Sequence, residues 1–374
     1  MAKKAYIGVA GVAKTVKKAY VGVNGVARRI KKVYIGIGGV ARPCWSGGNT
    51  LASYGTTTSL ANGKSRLSAT TIGDYALFAG GFSGSARVAT VDAYSKSLTH
   101  TTPTALYTER DDLAATTIGD YALFGGGYSG SSRVVIVDAY NSSLTQSVPT
   151  RLTVWRDCLA ATAVGDYALF GGGYNGENHV VTVEAYNRSL TRSTAGTGLS
   201  VARYKLSATT IGSYALFAGG YSSSGKVATV DAYDSSLTRS TPTALSEARY
   251  SLAAATVGNF ALFASGSNGS TNTTTVDAYN KSLTRTVPTG VSVGCYGLAA
   301  TTLGNYALFG GGNNSGTYLS KVNAYDDALT RTEPTSLSVA RFDFAATTVG
   351  NYALFAGGTK SPGTANTVDV YTLN

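Results

Sequence analysis

The chain has 374 residues, of which 46 are glycine and 25 are tyrosine, and 43% are hydrophobic. This mixture is typical of many short β-strands joined by glycine turns, and nothing in it indicates long helices. The net charge of +11 is concentrated at one end, because residues 1–45 contain ten of the 31 Lys and Arg residues and no Asp or Glu, so the remainder is close to neutral.

A 14-residue repeat occupies this basic N-terminus. Its three copies begin with Lys3-Lys4-Ala5-Tyr6-Ile7-Gly8, Lys17-Lys18-Ala19-Tyr20-Val21-Gly22 and Lys31-Lys32-Val33-Tyr34-Ile35-Gly36. The pairs Ala10-Gly11, Asn24-Gly25 and Gly38-Gly39 between apolar segments predict two-residue turns, and hence three β-hairpins. Isolated hairpins are only marginally stable in water. We therefore expect residues 1–45 to form an arm that packs on itself, trimerises or docks on a partner.

The N-terminal sequence lacks the continuous apolar core of a signal peptide, and no segment reaches the roughly 18 apolar residues of a membrane span. We expect neither Sec secretion nor membrane insertion. The cations of the arm could contact nucleic acid, but their regular positions at hairpin ends also suit the protection of exposed strand edges. An acidic protein partner or a trimer axis accounts for them equally well, and nucleic acid is not an expected partner.

A longer repeat of about 46 residues organises the rest of the chain. The hexapeptide Gly73-Asp74-Tyr75-Ala76-Leu77-Phe78 returns from Gly119, Gly165, Gly212, Gly258, Gly304 and Gly350, and Val91-Asp92-Ala93-Tyr94 returns in step with it. Each period predicts four antiparallel strands, a to d; in the second copy they cover residues 113–118, 121–126, 134–140 and 144–149. Four strands per period of 40 to 50 residues is typical of a propeller blade. Residues 46–374 are therefore predicted to form an all-β, seven-bladed β-propeller.

The two ends of the propeller predict how it closes. The last copy stops at Asn374 without a strand d, whereas residues 50–57 precede the first copy and have the pattern of an unpaired strand d. We expect this N-terminal strand to complete the last blade and close the ring.

Residues 50–374 resemble the kelch family. The pattern is fullest near the C-terminus, with Arg341 before an inner strand, Gly357-Gly358 after the second strand and Val368-Asp369-Val370-Tyr371 in the third. Two departures occur: the outer strands open with leucine where kelch repeats carry tryptophan, and Ser265 replaces one of the paired glycines. The N-terminal arm resembles segments of structural proteins from phages of Gram-positive bacteria. That resemblance implies a tail or appendage protein of a virion, made in the host cytoplasm.

Comparison of the blades with one another separates scaffold from candidate site. The a–b and c–d turns vary little, whereas the b–c and d–a loops, which share the opposite face, vary strongly. In the d–a loops a recurring arginine precedes a changing pair of residues. The candidate ligand-binding residues are Asp111, Asp112, Trp155, Asp157, Tyr204, Lys205, Tyr250, Tyr296 and Phe342. Aromatic rings beside carboxylates suit a sugar or peptide ligand.

Structural interpretations of the same residues stay open. The recurring arginine can bond to the backbone of a neighbouring blade, and Tyr204, Tyr250, Tyr296 and Phe342 can fill the axial channel. Trp155 is an isolated aromatic residue whose role as a contact is equally open.

Enzymatic chemistry is poorly represented in the sequence. The two histidines, His100 and His179, lack metal-ligand spacing, and no cofactor is expected. Cys44, Cys158 and Cys295 form no disulfide framework. A glycosidase would need two nearby carboxylates, which Asp111, Asp112 and Asp157 on adjacent blades could supply.

The sequence therefore predicts a non-enzymatic, virion-associated recognition protein. Its partners would be a surface glycan or protein receptor on the variable loop face and a virion component on the arm, with a homo-oligomer such as a trimer possible. A purely structural virion or scaffold protein is the alternative, and a glycoside hydrolase is third.

Overall fold

The computed structural model describes residues 50–374 and, within the N-terminal stretch, the strand segments 6–9, 12–15, 19–23, 26–30, 32–37 and 40–46. The chain divides into two compact units, Met1–Leu51 with Asn374 and Ala52–Leu373. Across the described residues there is no helix long and apolar enough to span a membrane.

The described strand segments of the first unit form three antiparallel pairs, as the 14-residue repeat predicts. The strands are β1 (Tyr6–Val9) with β2 (Val12–Thr15), β3 (Ala19–Val23) with β4 (Val26–Ile30), and β5 (Lys32–Ile37) with β6 (Val40–Ser46). The predicted turn residues Ala10-Gly11, Asn24-Gly25 and Gly38-Gly39 lie outside the described residues.

The second unit is a seven-bladed β-propeller. Strands a to d of blades 1 to 3 are β8 (Ser68–Ile72), β9 (Tyr75–Ala79), β10 (Val91–Ser95) and β11 (His100–Thr101); β12 (Ala114–Ile118), β13 (Tyr121–Gly125), β14 (Val137–Asn141) and β15 (Gln146–Ser147); and β16 (Ala160–Val164), β17 (Tyr167–Gly171), β18 (Val183–Asn187) and β19 (Arg192–Thr194).

Blades 4 to 6 repeat this order, and the b–c loops of blades 4 and 6 add a small hairpin. Blade 4 contains β20 (Ser207–Ile211), β21 (Tyr214–Ala218), β24 (Val230–Tyr233) and β25 (Arg239–Ser240), with the hairpin β22 (Tyr221–Ser222) and β23 (Gly225–Lys226). Blade 5 contains β26 (Ala253–Val257), β27 (Phe260–Ala264), β28 (Val276–Asn280) and β29 (Arg285–Thr286). Blade 6 contains β30 (Ala299–Leu303), β31 (Tyr306–Gly310), β34 (Val322–Asp326) and β35 (Arg331–Thr332), with the hairpin β32 (Asn313–Asn314) and β33 (Thr317–Tyr318).

Blade 7 closes the ring with a strand from the start of the propeller. It consists of β36 (Ala345–Val349), β37 (Tyr352–Ala356), β38 (Val368–Leu373) and, as its outermost strand, β7 (Leu51–Thr57). The predicted N-terminal closure is therefore present. Leu354 and Val368 of blade 7 share one core cluster with Phe78 and Tyr94 of blade 1, so this junction is packed like the others.

The hydrophobic core lies in layers between neighbouring blades. Between blades 1 and 2, for example, Leu77 and Val91 pack against Phe124 and Tyr140. The Phe124 and Tyr140 rings meet edge to face at 6.0 Å, and the Tyr140 hydroxyl donates to the carbonyl of Thr104 at 2.8 Å. Such a pair adds about 0.5–1.5 kcal/mol to the burial of its surface. Because every blade contains this pair, the two sequence markers recur together.

The outer strands differ from the prediction. Strand d of blade 2 is only Gln146–Ser147, because Leu144 has a left-handed backbone (φ 61°) and belongs to the c–d turn. The Leu144 N–H donates to the carbonyl of Asn141 at 2.9 Å, which fixes this turn. The leucines expected to open the outer strands are therefore turn residues, and strand d begins after them.

A buried ion pair recurs at the blade junctions. The Nη2 of Arg110 lies 2.7 Å from Oδ2 of Asp138 and donates to the carbonyl of Phe124 at 3.1 Å, with both charged side chains fully buried. Oδ1 of Asp138 accepts from the backbone N–H of Tyr107 at 2.8 Å. Equivalent pairs are Arg156–Glu184, Arg203–Asp231, Arg249–Asp277, Arg341–Asp369 and, with lysine in place of arginine, Lys64–Asp92. The recurring arginine is thus structural, and its main partner is the carboxylate of strand c in its own blade.

A second ring surrounds the axis on the inner strands. In six blades a threonine hydroxyl donates to the backbone carbonyl at the same position of the preceding blade; the donors are Thr71, Thr117, Thr210, Thr256, Thr302 and Thr348. Blade 3 has Ala163 at this position. We call these seven positions the threonine ring.

Candidate functional site

The b–c and d–a loops meet on one face of the propeller. Asp111 of the d–a loop forms an antiparallel bridge with Tyr128 of the neighbouring b–c loop, and Tyr128 forms another with Arg133. Comparable bridges occur in every blade. The two kinds of variable loop therefore form one continuous surface, as the alternation of antiparallel connections predicts.

A closed ring of backbone hydrogen bonds surrounds the axis on this face. It consists of the second residue of each changing pair: Arg66, Asp112, Cys158, Lys205, Ser251, Gly297 and Asp343, which we call the bracelet. Each N–H donates to the carbonyl of the preceding member at 2.7–3.2 Å, and the Arg66 N–H closes the ring on Asp343. All seven have a left-handed backbone, with φ between 50° and 65°. Six are not glycine, and this uncommon conformation is tolerated because the ring of bonds holds it.

The bracelet surrounds the mouth of a cavity of about 830 Å³. Its floor is a collar of buried apolar residues, namely Leu67, Leu113, Leu159, Leu206, Leu252, Leu298 and Phe344. Towards blades 6, 7 and 1 its walls include Tyr296, Tyr318, Phe342 and Phe82. A volume in this range, apolar below and polar at the mouth, is typical of small-molecule sites.

Two carboxyl groups of the bracelet titrate far from their ordinary range. Burial raises the pKa of Asp112 to about 7, with a further contribution from the neighbouring Asp111, against a lowering by Arg66. Burial likewise raises the pKa of Asp343 to about 6, although Lys205 and Arg66 oppose it. Both groups can therefore exchange protons near neutral pH.

The rim of the face over blades 1 to 5 is a continuous stack of side chains. The guanidinium of Arg87 lies over Phe82 (5.1 Å) and Tyr128 (4.8 Å), and that of Arg133 lies over Tyr128 (5.1 Å) and Tyr174 (5.0 Å). Beyond Tyr174 the neighbouring rings continue through His179, Tyr204, Tyr221 and Tyr250. Arg66 extends the stack at its other end, with its guanidinium 4.8 Å from the Phe82 ring centroid, and we call the set from Arg66 to Tyr250 the aromatic arc.

The predicted site residues fall into three groups. Asp112, Lys205, Tyr296 and Phe342 line the cavity. Tyr204 and Tyr250 belong to the aromatic arc, where their rings contact neighbouring rings.

Asp111, Asp157 and Trp155 form the third group. Asp111 is fully buried and lies 3.0 Å from Arg66 and 3.4 Å from Arg87, and Asp157 lies 3.0 Å from Arg133. Trp155 is 60% exposed and is not among the residues that line the cavity.

Several residues of this face were not selected from the sequence. Arg66 precedes the first hexapeptide, and counting back 46 residues from Asp112 would have identified it. Asp343 directly follows the selected Phe342 in the sequence, and Tyr318 is placed beside Phe342 (4.9 Å) by a b–c loop. The stack of Arg87 and Arg133 has a periodic signal, because both arginines and the rings of Phe82, Tyr128 and Tyr174 recur at the 46-residue spacing. The sequence does not show that these side chains meet, since the contacts join loops of neighbouring blades.

Among the described residues, no three His, Cys, Asp or Glu side chains are grouped as a metal site requires. No protein-family model matches the chain, and no curated protein matches it either.

Proposed function

We propose that the protein is a non-enzymatic recognition protein that binds a surface glycan or protein through the loop face containing the bracelet and cavity. The observation that carries this proposal is the contrast between the repeated scaffold and the bracelet. Junction arginines recur almost unchanged, whereas two residues further along the chain the bracelet holds cations, carboxyls, a thiol, a hydroxyl and a glycine. The packing of seven similar blades does not by itself require such different side chains at equivalent positions around one cavity.

The aromatic wall supports a carbohydrate or peptide ligand. Phe342 lies 4.9 Å from Tyr318 and 6.0 Å from Tyr296, and all three side chains are partly exposed to the cavity. Rings of this kind stack on the apolar C–H faces of sugars, and neighbouring polar groups orient hydroxyls. Tyrosine-rich, adaptable surfaces are also typical of protein-binding loops.

A non-enzymatic role is supported by the engagement of two of the three acids that the sequence offers to a hydrolase, while the third, Asp112, lines the cavity and has a raised pKa. Asp111 lies between two guanidinium groups, and Asp157 is paired with Arg133 and only 6% exposed. Carboxylates held in this way are poorly placed to exchange protons with a substrate.

The proposal also includes a kelch-like family for the propeller and a place in a phage virion for the whole protein. The recurring arginine, paired glycines and third-strand motif support the first, and the three basic 14-residue hairpin repeats support the second. In that reading the arm docks on a virion component or trimerises, and the propeller presents its loop face to a host surface.

Binding of the full-length protein to bacterial cells and their isolated surface polysaccharides tests the proposal. We expect saturable binding that falls about five- to 150-fold in Phe342→Ala and in Tyr296→Ala, since the loss of a stacking aromatic costs about 1–3 kcal/mol. Tyr54→Ala is the matched control, because Tyr54 is 54% exposed on the outer strand of blade 7. No binding to any cell or polysaccharide, or binding that both cavity variants retain in full, would favour a purely architectural protein.

A further inference from the structure

The charges at the mouth of the cavity are distributed unevenly. Lys205 and Asp343 lie on the bracelet with only Ser251 and Gly297 between them, the two smallest of its members. These small residues define a sector between an ammonium and a carboxyl group, in which the Asp343 carboxyl lies over Gly297, since a Cβ on that glycine would be 2.5 Å from Oδ1 of Asp343. Tyr296 and Phe342, each adjacent in sequence to a bracelet residue of this sector, line the same cavity. The sector therefore combines a cation, an acid and an aromatic wall.

Neither charged group of this sector, Lys205 or Asp343, has an ion-pair partner within 4.0 Å among the described residues, and Lys205 is its cation. The structure has no Asp or Glu oxygen of the described residues within 4.0 Å of its Nζ, and the side chain is exposed at the mouth. Arg66, in contrast, is held at 3.0 Å by Asp111 and at 3.6 Å by Asp112. Burial acts to lower the pKa of Lys205, but Cys158, Tyr204 and the two bracelet carboxyls outweigh it, so the pKa is raised.

The balance of charge around the cavity favours an anion. The lining contains three cations, Arg66, Lys205 and Lys360, and two carboxyls, Asp112 and Asp343. The pKa is about 7 for Asp112 and about 6 for Asp343, so either carboxyl can take up a proton near neutral pH. A protonated carboxyl donates a hydrogen bond to a hydroxyl or an anion, and it does not repel a negative group.

We propose that this cavity binds a saccharide unit bearing an anionic group, with that group on Lys205, the sugar ring against Tyr296 and Phe342, and hydroxyls on Asp343. This inference rests on the proposed recognition function and narrows its ligand to an acidic glycan. The anionic group is a carboxylate or a phosphate, because both accept hydrogen bonds from an ammonium.

Titration of the full-length protein with defined probes separates these chemistries. The probes are a galacturonic acid oligosaccharide, its methyl ester as the matched neutral control, and a poly(glycerol phosphate) chain. We expect the methyl ester to bind at least tenfold more weakly than the free acid. A preference for the galacturonic acid probe or for the phosphate polymer identifies which anion the site takes.

Variants of Lys205 test the position of the anion. Lys205→Met should weaken binding of the preferred acidic probe about ten- to a hundredfold, the range for a hydrogen bond to a charged group, and should leave the methyl ester unaffected. Lys205→Arg should retain most of the affinity. A structural role for Lys205 would not discriminate between acid and ester, so equal losses for both probes would overturn the inference.

The pH dependence gives a second readout. The groups that face Asp112 are Asp111, Arg66, Asp343, Asp157, Cys158 and Lys205. An anion on Lys205 takes away part of the positive field that this ammonium exerts on Asp112, and so favours the protonated carboxyl. Affinity for the acidic probe should therefore rise as the pH falls from 8 to 6, by about tenfold per unit at most for one proton taken up. Asp112→Asn should flatten this dependence.

The outcomes also separate this inference from the recognition function itself. Binding of a neutral glycan or a protein that depends on Tyr296 and Phe342, without binding of either acidic probe, overturns the acidic-ligand assignment and leaves recognition standing. Absence of binding to all of them overturns both.

Discussion

The cations of the buried ion pairs at the blade junctions, which we call the junction ring, each lie two residues before a member of the bracelet. The two rings differ in how their charges are paired. The junction ring, which includes Arg110, has each cation matched by a buried carboxylate of its own blade, as at Asp138 (2.7 Å). The bracelet, which includes Asp112, has members of both charges, and Lys205 has no carboxylate within 4.0 Å among the described residues. Repetition with matched charge marks the scaffold here, and variation with unmatched charge marks the candidate site.

At the junction between blades 5 and 6, the cation of the junction ring and its matching carboxylate are both absent. Cys295 stands where the other junctions have arginine or lysine, and Asn323 stands where they have a carboxylate, so both charges are lost together. Ser265 replaces a glycine at the same junction, and its hydroxyl donates to the Cys295 carbonyl at 2.7 Å and accepts from the Cys295 N–H at 2.9 Å. An uncharged network has replaced the ion pair as a unit.

The largest effect should come from breaking one matched pair. Asp138→Ala leaves the guanidinium of Arg110 buried without its carboxylate. We expect a loss of about 3–5 kcal/mol in the free energy of unfolding, measured by chemical denaturation. Asp120→Ala, at an exposed a–b turn, is the control and should cost under about 0.5 kcal/mol. A loss below about 1 kcal/mol for Asp138→Ala would mean that the pair does not hold the junction.

Introducing a single charge at the blade 5–6 junction should lower the free energy of unfolding nearly as much. Cys295→Arg places a cation beside Asn323, which cannot neutralise it, and we expect a loss of about 2–4 kcal/mol. Adding Asn323→Asp and Ser265→Gly should recover more than half of that loss, because together they restore the partner and the space. Strictly additive effects in this mutant cycle would argue against a coordinated exchange.

Sequence periodicity predicted the seven blades, their strand order and the closing strand Leu51–Thr57. It also separated a repetitive face from a variable one, because scaffold contacts recur in each period. It could not distinguish Asp111 from Asp112, which are adjacent; the first is fully buried between two guanidinium groups and the second lines the cavity. That difference arises from the left-handed backbone of Asp112 (φ 53°), which turns its side chain towards the axis.

The bracelet residue Asp112 should make the free energy of unfolding depend on pH. The pKa of Asp112 is raised by burial to about 7 from an unfolded value of 3.8, so the stability contributed by its protonated form is present below pH 4 and lost as the pH rises through 7. Relative to Asp112→Asn, the wild-type protein should lose about 1–2 kcal/mol between pH 4 and pH 8, a value reduced by the 27% exposure of the side chain. Parallel stability profiles of the two proteins would contradict this, and Asp120→Asn should show none of the effect.

The smallest predicted effect is a gain in the scaffold. Ala163→Thr supplies the missing member of the threonine ring, whose hydroxyl would donate to the carbonyl of Thr117 as its counterparts do in the other blades. We expect about 0.5–1.5 kcal/mol of added stability in thermal or chemical unfolding. Ala163→Val is the matched control, since it has the same shape without the hydroxyl, and an equal gain from valine would attribute the effect to packing alone.

The closed hydrogen-bonded bracelet also bears on how this surface can diversify. A loop that gained or lost a residue at this point would break the circle of bonds, whereas a change of side chain leaves the circle intact. The seven positions therefore share one backbone geometry, and under the proposed recognition function new specificities would arise through point substitutions that leave this geometry unchanged. A library of variants restricted to these seven positions would change the chemistry of the cavity mouth and keep the backbone hydrogen bonds of the ring.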